Sequence, residues 1–456
     1  MELKEVKVDN INIDNTLEND VPILRFEDIK VSIVKSKLNE NVKTILNGIS
    51  GYIYSGQMIA LMGASGAGKT TLINAISGRI GKGKELPGNI YVYGKKMEIN
   101  QSNVNLISLV TQDDILPYSL TAYETLMYTA RLVHTDLSLS QQIEKVENLL
   151  HQLGIFNSKD TIIGEPGYSN GLSGGEKKRV NIGNSLIKDS DIIILDEPSS
   201  GLDSFNALNI MKLIKDIVKN ENRSILSTIH QPSEDIFNLF DKVMLLANGK
   251  CVYFDSLSKM KNYFNTLGHH IQDNDNPADV VLDLLSNKHQ DYKETIEKLI
   301  VEYDEYVKNH PYQFVIPNND ELYLRKIKLK KNQYWNEFKI LFLRSCKAQF
   351  RHKFLTKVRL MQMIVIGILI GLLFFDLDQI GDQSTIPDRK GALFMITAIN
   401  LLIPSVATIQ QFPSERPLFL REYLDGTYGV FSYFFAKVTA DVPFQIFFPS
   451  VFLAIA

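Results

Sequence analysis

The run Gly63-Ala64-Ser65-Gly66-Ala67-Gly68-Lys69-Thr70, followed by Thr71, constrains this 456-residue chain more than any other feature. It comes straight after an apolar stretch, residues 58–62, that reads as a buried strand. It matches the pattern G-x-x-x-x-G-K-[ST], in which glycines let the backbone curl and turn its N–H groups towards phosphate oxygens. A following helix start adds a positive dipole end. In such a loop Lys69 would neutralise the β- and γ-phosphates, and Thr70 would offer a hydroxyl to Mg²⁺. A loop of this kind needs a strand behind it and a helix ahead of it. The pattern therefore predicts an α/β domain with a buried sheet.

A second element is Ile192-Ile193-Ile194-Leu195-Asp196-Glu197-Pro198. Four continuous apolar residues fit the interior of a sheet covered on both faces. They deliver Asp196 to the carboxyl end of the strand, where ligands sit in open α/β sheets. Asp196 is expected to hold Mg²⁺, which prefers oxygen ligands. Glu197 is expected to orient or deprotonate an attacking water. Taken alone, an Asp-Glu-Pro turn is more often a solvated loop.

Between these elements lies Gly171-Leu172-Ser173-Gly174-Gly175-Glu176-Lys177-Lys178-Arg179. Its Leu-Ser-Gly-Gly-Glu string resembles the signature motif of ABC ATPases. The resemblance implies that Ser173 and Gly175, with Gly174 between them, bind the γ-phosphate of ATP held by a second subunit. Other parts follow in family order. Gln112 resembles the glutamine that touches Mg²⁺ and senses the membrane domain. Ser200-Gly201-Leu202-Asp203 resembles the D-loop, placing Asp203 near nucleotide. His230 resembles the switch histidine that contacts the γ-phosphate. Singly each has a bland reading, since a lone Gln or His at a strand end is usually structural. Many family members also stack adenine on an aromatic residue ahead of the P-loop. Residues 35–44 contain none, and Tyr52 and Tyr54 read as strand positions.

The order of domains, nucleotide first and membrane second, is similar to the G subfamily of White-type half-transporters. Asn276-Pro277-Ala278-Asp279-Val280 and Phe412-Pro413-Ser414-Glu415-Arg416 carry further likeness. The resulting map has a flexible polar leader (1–20), an ABC nucleotide-binding domain (21–285), a charged linker (286–331), an amphipathic connecting helix (332–355) and a partial all-α transmembrane domain (356–456). Within the last, residues 356–375 and 391–409 are long enough to cross a bilayer core. Residues 442–456 would cover only roughly 22 Å as a helix, so the third span is expected to be cut short. Residues 417–429 are expected to act as the coupling element of the membrane domain. Thr397, Asn400 and Leu402 lie in the second span. There a polar group is costly in lipid and faces a partner helix or a cavity, so Asn400 and Leu402 are candidate substrate contacts.

Residues 339–359 carry seven bases and no acid, and residues 376–390 carry four Asp. That asymmetry places the N-terminus and nucleotide domain in the cytoplasm of a multi-pass protein. A formal net charge of −3 gives no support to nucleic-acid binding. Cys251 and Cys346 are expected to be free thiols. No charged and apolar leader opens the chain, so no cleaved signal peptide is expected. The resemblance implies ATP and Mg²⁺ as cofactors and a homodimer or heterodimer of half-transporters in a lipid bilayer. It also implies export of a lipid, sterol or other hydrophobic compound. Two alternatives remain open. One is an incomplete, non-transporting subunit that pairs with full-length partners. The other is a soluble ABC ATPase.

Overall fold

The computed structural model describes residues 6–7, 21–36, 39–80, 84–85, 87–97, 106–165, 171–272, 274–286, 292–312, 315–316, 333–351, 353–375 and 386–455. All but residues 6–7 of the leader, the linker residues 287–291, 313–314 and 317–332, and the inter-span residues 376–385 lie outside the described residues. Contacts divide the chain into two units. Unit 1 holds residues 1–114, 144–159 and 172–330, and unit 2 holds residues 115–143, 160–171 and 331–456.

Unit 1 is built on two sheets. In the first, β1 (Leu24–Ser36) pairs antiparallel with β2 (Asn39–Ile53) and with β4 (Asn89–Val92). The second contains β3 (Met58–Gly63), β5 (Ile107–Val110), β6 (Ile192–Asp196), β7 (Ser224–Thr228), β8 (Lys242–Ala247) and β9 (Lys250–Ser256). Its spatial order is β9-β8-β3-β7-β6-β5. All neighbours are parallel except the β8–β9 hairpin at one edge. The strands β3, β6 and β7 are buried along their whole length. Helices cover such a sheet on its faces, which is why β3 and β6 open on continuous apolar runs, residues 58–62 and 192–195. The helices α1 (Lys69–Ile76), α4 (Gly174–Leu186), α5 (Ser204–Glu221), α6 (Leu257–Thr266) and α7 (Tyr292–Asn309) belong to this unit, and α3 (Leu139–Gln152) runs across the boundary. Tyr52 and Tyr54 pack edge to face against each other, and Tyr52 also meets Phe254 and Tyr312. Their rings are thus engaged in a tyrosine cluster under α7.

Unit 2 joins α2 (Ala122–Val133) to α8 (Tyr334–Arg351), α9 (Lys353–Leu373), α10 (Ile386–Leu424) and α11 (Val430–Ile455). Residues 115–143 and 160–171, inside the range expected as one nucleotide domain, therefore pack in the same unit as the helices after residue 331. Leu132 of α2 shares a buried cluster with Ile340 and Leu341 of α8, Tyr428, and Ala436 of α11. Polar contacts fix this cluster. Thr121 and Glu124 form a reciprocal capping box at the start of α2. The same Glu124 carboxylate accepts hydrogen bonds from Arg351, with Nη2 at 2.8 Å, and from Lys347 at 2.6 Å. Arg344 pairs bidentately with Glu422 at 2.7 and 2.8 Å, and Tyr428 donates to the same carboxylate at 2.6 Å. Arg421 donates to the carbonyl of Ile115 at 2.6 Å.

The three expected spans all fall on helices, with different limits. The second helix runs on to Leu424, so residues 412–415, and residues 417–424 of the expected coupling element, are helical. The third begins at Val430, twelve residues before the apolar stretch at 442–456. Charge at Lys437 and Asp441 makes the sequence look broken there. In the fold both are satisfied: Lys437 pairs with Glu415 at 2.8 Å, and Gln349 donates to Asp441. With its polar positions partnered, the helix continues. Among the described residues α11 is the one helix long and apolar enough to cross a membrane by length and composition. A second buried cluster, Met363 and Ile370 with Phe448 and Phe452, holds α9 against α11.

Candidate nucleotide site

The carboxyl ends of β3, β6 and β7 lie side by side, because β7 sits between the other two. Register places Thr228 opposite Asp196 on one side and Leu61 on the other. The Gly-rich loop leaves β3 two residues further on. At Gly63, with φ 152°, an added Cβ would lie 2.3 Å from the Leu246 carbonyl oxygen. Only glycine lets the loop depart so close to β8. At Gly66, with φ 80°, an added Cβ would meet nothing within 4 Å, so this backbone faces open space.

Lys69, Thr70 and Thr71 form the first turn of α1. Lys69 is 8% exposed, and its ammonium donates to the carbonyls of Gly63 at 2.7 Å and Ala64 at 3.2 Å. It closes the loop on itself while pointing its charge inward. Burial lowers its pKa below the ordinary lysine value, against the opposing pull of Glu197 and Asp196. A cavity of about 460 Å³ opens here. Its lining includes Ser65, Gly66, Gly68, Lys69, Thr70, Thr71, Glu197 and His230. Gln112, just past β5, donates through Nε2 to the Glu197 carboxylate at 2.8 Å.

Sequence reasoning thus placed Gly63 to Thr71, Gln112, Asp196, Glu197 and His230 around one strand-end cluster, and the fold assembles them there. Ser173, Gly174, Gly175 and Asp203 are not among the described residues that line the cavity. Ser173 caps α4, accepting from the Glu176 N–H at 3.3 Å and donating to its carboxylate at 2.8 Å. An added Cβ at Gly174 would meet nothing within 4 Å. Asp203 caps α5, and hydrogen bonds from Asn206 hold its carboxyl below the usual aspartate range. In unit 2, Asn400 donates to the Ile396 carbonyl one turn back at 2.9 Å, and Thr397 does the same to Leu393 at 2.7 Å. The side chain of Leu402 is exposed.

Some site residues escaped the sequence. Lys43, Thr44, Ile45, Asn248 and Gly249 complete the cavity wall. They come from β2 and from the β8–β9 hairpin, whose Gly249 N–H donates to Ala67 at 3.2 Å. An Asn-Gly pair between apolar runs does signal a hairpin, but nothing local says which strand end it covers. Lys178 and Asn181 of α4 were also missed. Lys178 donates to the Gln112 carbonyl at 2.8 Å and pairs with Asp114 at 3.0 Å, while Asn181 donates to Asp114 at 2.7 Å. They pin the turn that carries Gln112. Thr228 was missed as well, although Ser227-Thr228 stands out as a polar pair in a fully buried strand.

Comparison with known proteins agrees with this geometry. The family description "ABC transporter" matches residues 46–200, and "ABC-2 type transporter" matches residues 336–456 and, by a second description, 230–325. "ABC transporter G family member 14" of Arabidopsis thaliana is 32% identical over 95% of this chain and 69% of its own length. The chain belongs to the ABC transporter G family. "ABC transporter G family member 22" of the same plant is 33% identical, and "Protein white" of Drosophila melanogaster is 33% identical. The alignments cover 96% and 91% of this chain but 62% and 61% of those proteins. This G-family chain therefore spans a little over three fifths of their length. The fold is an ABC-type ATPase domain of α/β build followed by a helical membrane domain.

Proposed function

We propose that this G-family chain binds and hydrolyses ATP as one half of a dimeric transporter that exports a lipid, sterol or other hydrophobic compound. The observation that carries the hydrolytic part is the strand-end cluster. Buried Lys69 and the carboxylate of Glu197 line one cavity, the Gln112 amide donates to that carboxylate, and Asp196 ends the same strand one residue earlier. Open space at Gly66 and a cavity of about 460 Å³ suit a nucleotide triphosphate. The chain's own oxygen donors suit Mg²⁺, since Thr70 supplies a hydroxyl and Asp196 a carboxylate. When bound, that cation would supply charge neutralisation at the phosphates. Lys69 would hold the β- and γ-phosphates. Ile45 and Lys43 would cover the adenine with aliphatic surface in place of an aromatic ring. Glu197 would accept the proton of a water that attacks the γ-phosphorus, with Gln112 fixing its carboxylate. His230 would stabilise charge on the transferred group.

Ser173, Gly174, Gly175 and Asp203 support a dimer. Ser173, Gly174 and Asp203 are exposed and Gly175 is half-buried, all at helix starts outside their own chain's cavity, where N–H groups and a hydroxyl can grip a partner's nucleotide. Asn400 and Leu402 would face substrate. The match to "ABC-2 type transporter" and the apolar α11 support the membrane part. The test is ATP hydrolysis by membranes containing the chain or its Glu197→Gln variant. Hydrolysis that falls at least about 100-fold in the variant, with ATP binding kept, is expected for loss of a positioned base. Equal rates would remove Glu197 from its role. Release of the chain by alkaline carbonate would overturn the membrane reading.

A further inference from the structure

Thr228 is fully buried at the last position of β7, between the strand that carries the Gly-rich loop and the strand that carries Asp196. Its hydroxyl donates to Asp196 Oδ1 at 2.7 Å and accepts from the Glu197 N–H at 2.8 Å. One hydroxyl thus engages both adjacent acids, and it uses its single proton on the first. The peptide it holds is unusual. Glu197 has φ 47°, in the left-handed region, where a residue with a Cβ is strained. Such a conformation persists when its surroundings over-determine it. Here the Thr228 oxygen binds the Glu197 backbone while Gln112 binds its carboxylate at 2.8 Å.

We infer that Thr228 is a positioning residue for the hydrolysis proposed above, fixing Asp196 with one carboxylate oxygen left for a divalent cation and holding the strained Glu197 backbone so that its carboxylate faces the cavity. The inference rests on that proposed reading. With Oδ1 committed to the hydroxyl, Asp196 cannot turn freely, and Oδ2 is the oxygen left to ligate. Valine has the same shape without donor or acceptor. It would release the carboxylate and leave a buried N–H unpaired. Serine keeps both bonds.

The test compares the full-length protein with Thr228→Val and Thr228→Ser in detergent micelles. Mn²⁺ affinity is read by EPR in the presence of the non-hydrolysable analogue AMP-PNP. Metal-free nucleotide binding, kcat and KM for ATP are read alongside. Hydrogen-bond partners of metal-ligating carboxylates typically contribute about 10–100-fold in metal affinity or activity. Thr228→Val should therefore weaken Mn²⁺ binding and lower kcat by about that factor. Its metal-free nucleotide affinity and KM should stay within about twofold, and Thr228→Ser should restore both losses. Should Thr228→Val fail to accumulate, Thr228→Cys keeps the volume with a much weaker donor and should show the same pattern. The inference is overturned if the Val variant matches wild type in both readouts. It is equally overturned if metal-free binding falls in step with kcat, or if Ser is as impaired as Val. Absence of ATP hydrolysis in the wild type would instead sink the proposed function, while the Mn²⁺ readout still judges Thr228.

Discussion

The contact of greatest consequence in unit 2 is the buried triad of Arg344, Glu422 and Tyr428. Arg344 is 9% exposed, and it meets the carboxylate of Glu422 through two N–H donors at 2.7 and 2.8 Å. Burial alone would make the guanidinium easier to deprotonate, yet Glu422 and Tyr428 beside it raise its pKa above the ordinary arginine value. The guanidinium is therefore held in its charged form in the fold. Replacing Arg344 by Met keeps the stem and removes the charge. Glu422 then retains only the Tyr428 hydroxyl, at 2.6 Å. Two charge-assisted hydrogen bonds contribute about 1.5–3 kcal/mol each, and stranding one partner of a buried pair costs about 3–5 kcal/mol. The two estimates agree on a loss near 4 kcal/mol, taken as roughly the middle of that range. Tyr428→Phe leaves the ion pair intact and should cost no more than about 1.5–3 kcal/mol. The triple variant Arg344→Met, Glu422→Leu, Tyr428→Phe strands no polar group, so it should return to within about 1–2 kcal/mol of wild type. A natural reporter exists. The chain has a single tryptophan, Trp335, which stacks on Phe338 at 5.2 Å in the same helix as Arg344. Its fluorescence during denaturant titration in micelles reads α8 without interference from unit 1. An Arg344→Met variant within about 1 kcal/mol of wild type would refute the reasoning, as would a triple variant as weak as Arg344→Met.

Two further outcomes follow from the same structure. Burial alone would raise the Glu124 carboxyl, but hydrogen bonds from Arg351 and Lys347 outweigh it and lower the pKa below the ordinary 4.5. Its contribution is then complete above pH 4.5 and is lost as pH falls through the lower folded value. Glu124→Gln, which preserves the capping box, should flatten that acid limb of the Trp335 unfolding curve, and an unchanged limb would assign it to other groups. At the Gly-rich loop, Gly63→Ala should abolish accumulation of folded protein, because its Cβ would meet the Leu246 oxygen at 2.3 Å. Gly66→Ala should fold with a cost of roughly 1–2 kcal/mol from its positive φ, as read by thermal unfolding.

The nucleotide site was legible where its chemistry is written locally. The Gly-rich loop, the Asp196–Glu197 pair and Gln112 each sit at a strand end, so a sequence run fixes both the residue and its direction. The cavity wall at Lys43, Ile45 and Asn248 was not legible, because two segments far apart in sequence meet there only through the sheet order. Thr228 was hidden for a related reason. Its role depends on register, since a shift of one residue would turn its hydroxyl away from Asp196. The packing of α2 with α8 was out of reach too. The Thr121–Glu124 capping box is visible in sequence, but that Glu124 also receives Arg351 and Lys347 is not.

Charge within the helical half explains the remaining misreadings. In sequence a charged residue inside an apolar run marks an end, because an unpaired charge is too costly to bury. That rule stops the third span at residue 442, after Lys437 and Asp441. In the fold the cost is removed by partners from elsewhere: Glu415 for Lys437 and Gln349 for Asp441. The basic stripe of α8 follows the same logic. Lys347 and Arg351 lie in a run of bases without an acid, yet both are turned onto Glu124, and Arg344 onto Glu422. Lys437, Lys347, Arg351 and Arg344 are each bonded to a named acid, and Lys339 lies 5.7 Å from the Trp335 ring. A pattern of charge along one helix therefore gives its surface only after every opposing acid has been placed, and for these cations the acids come from α2 and α10.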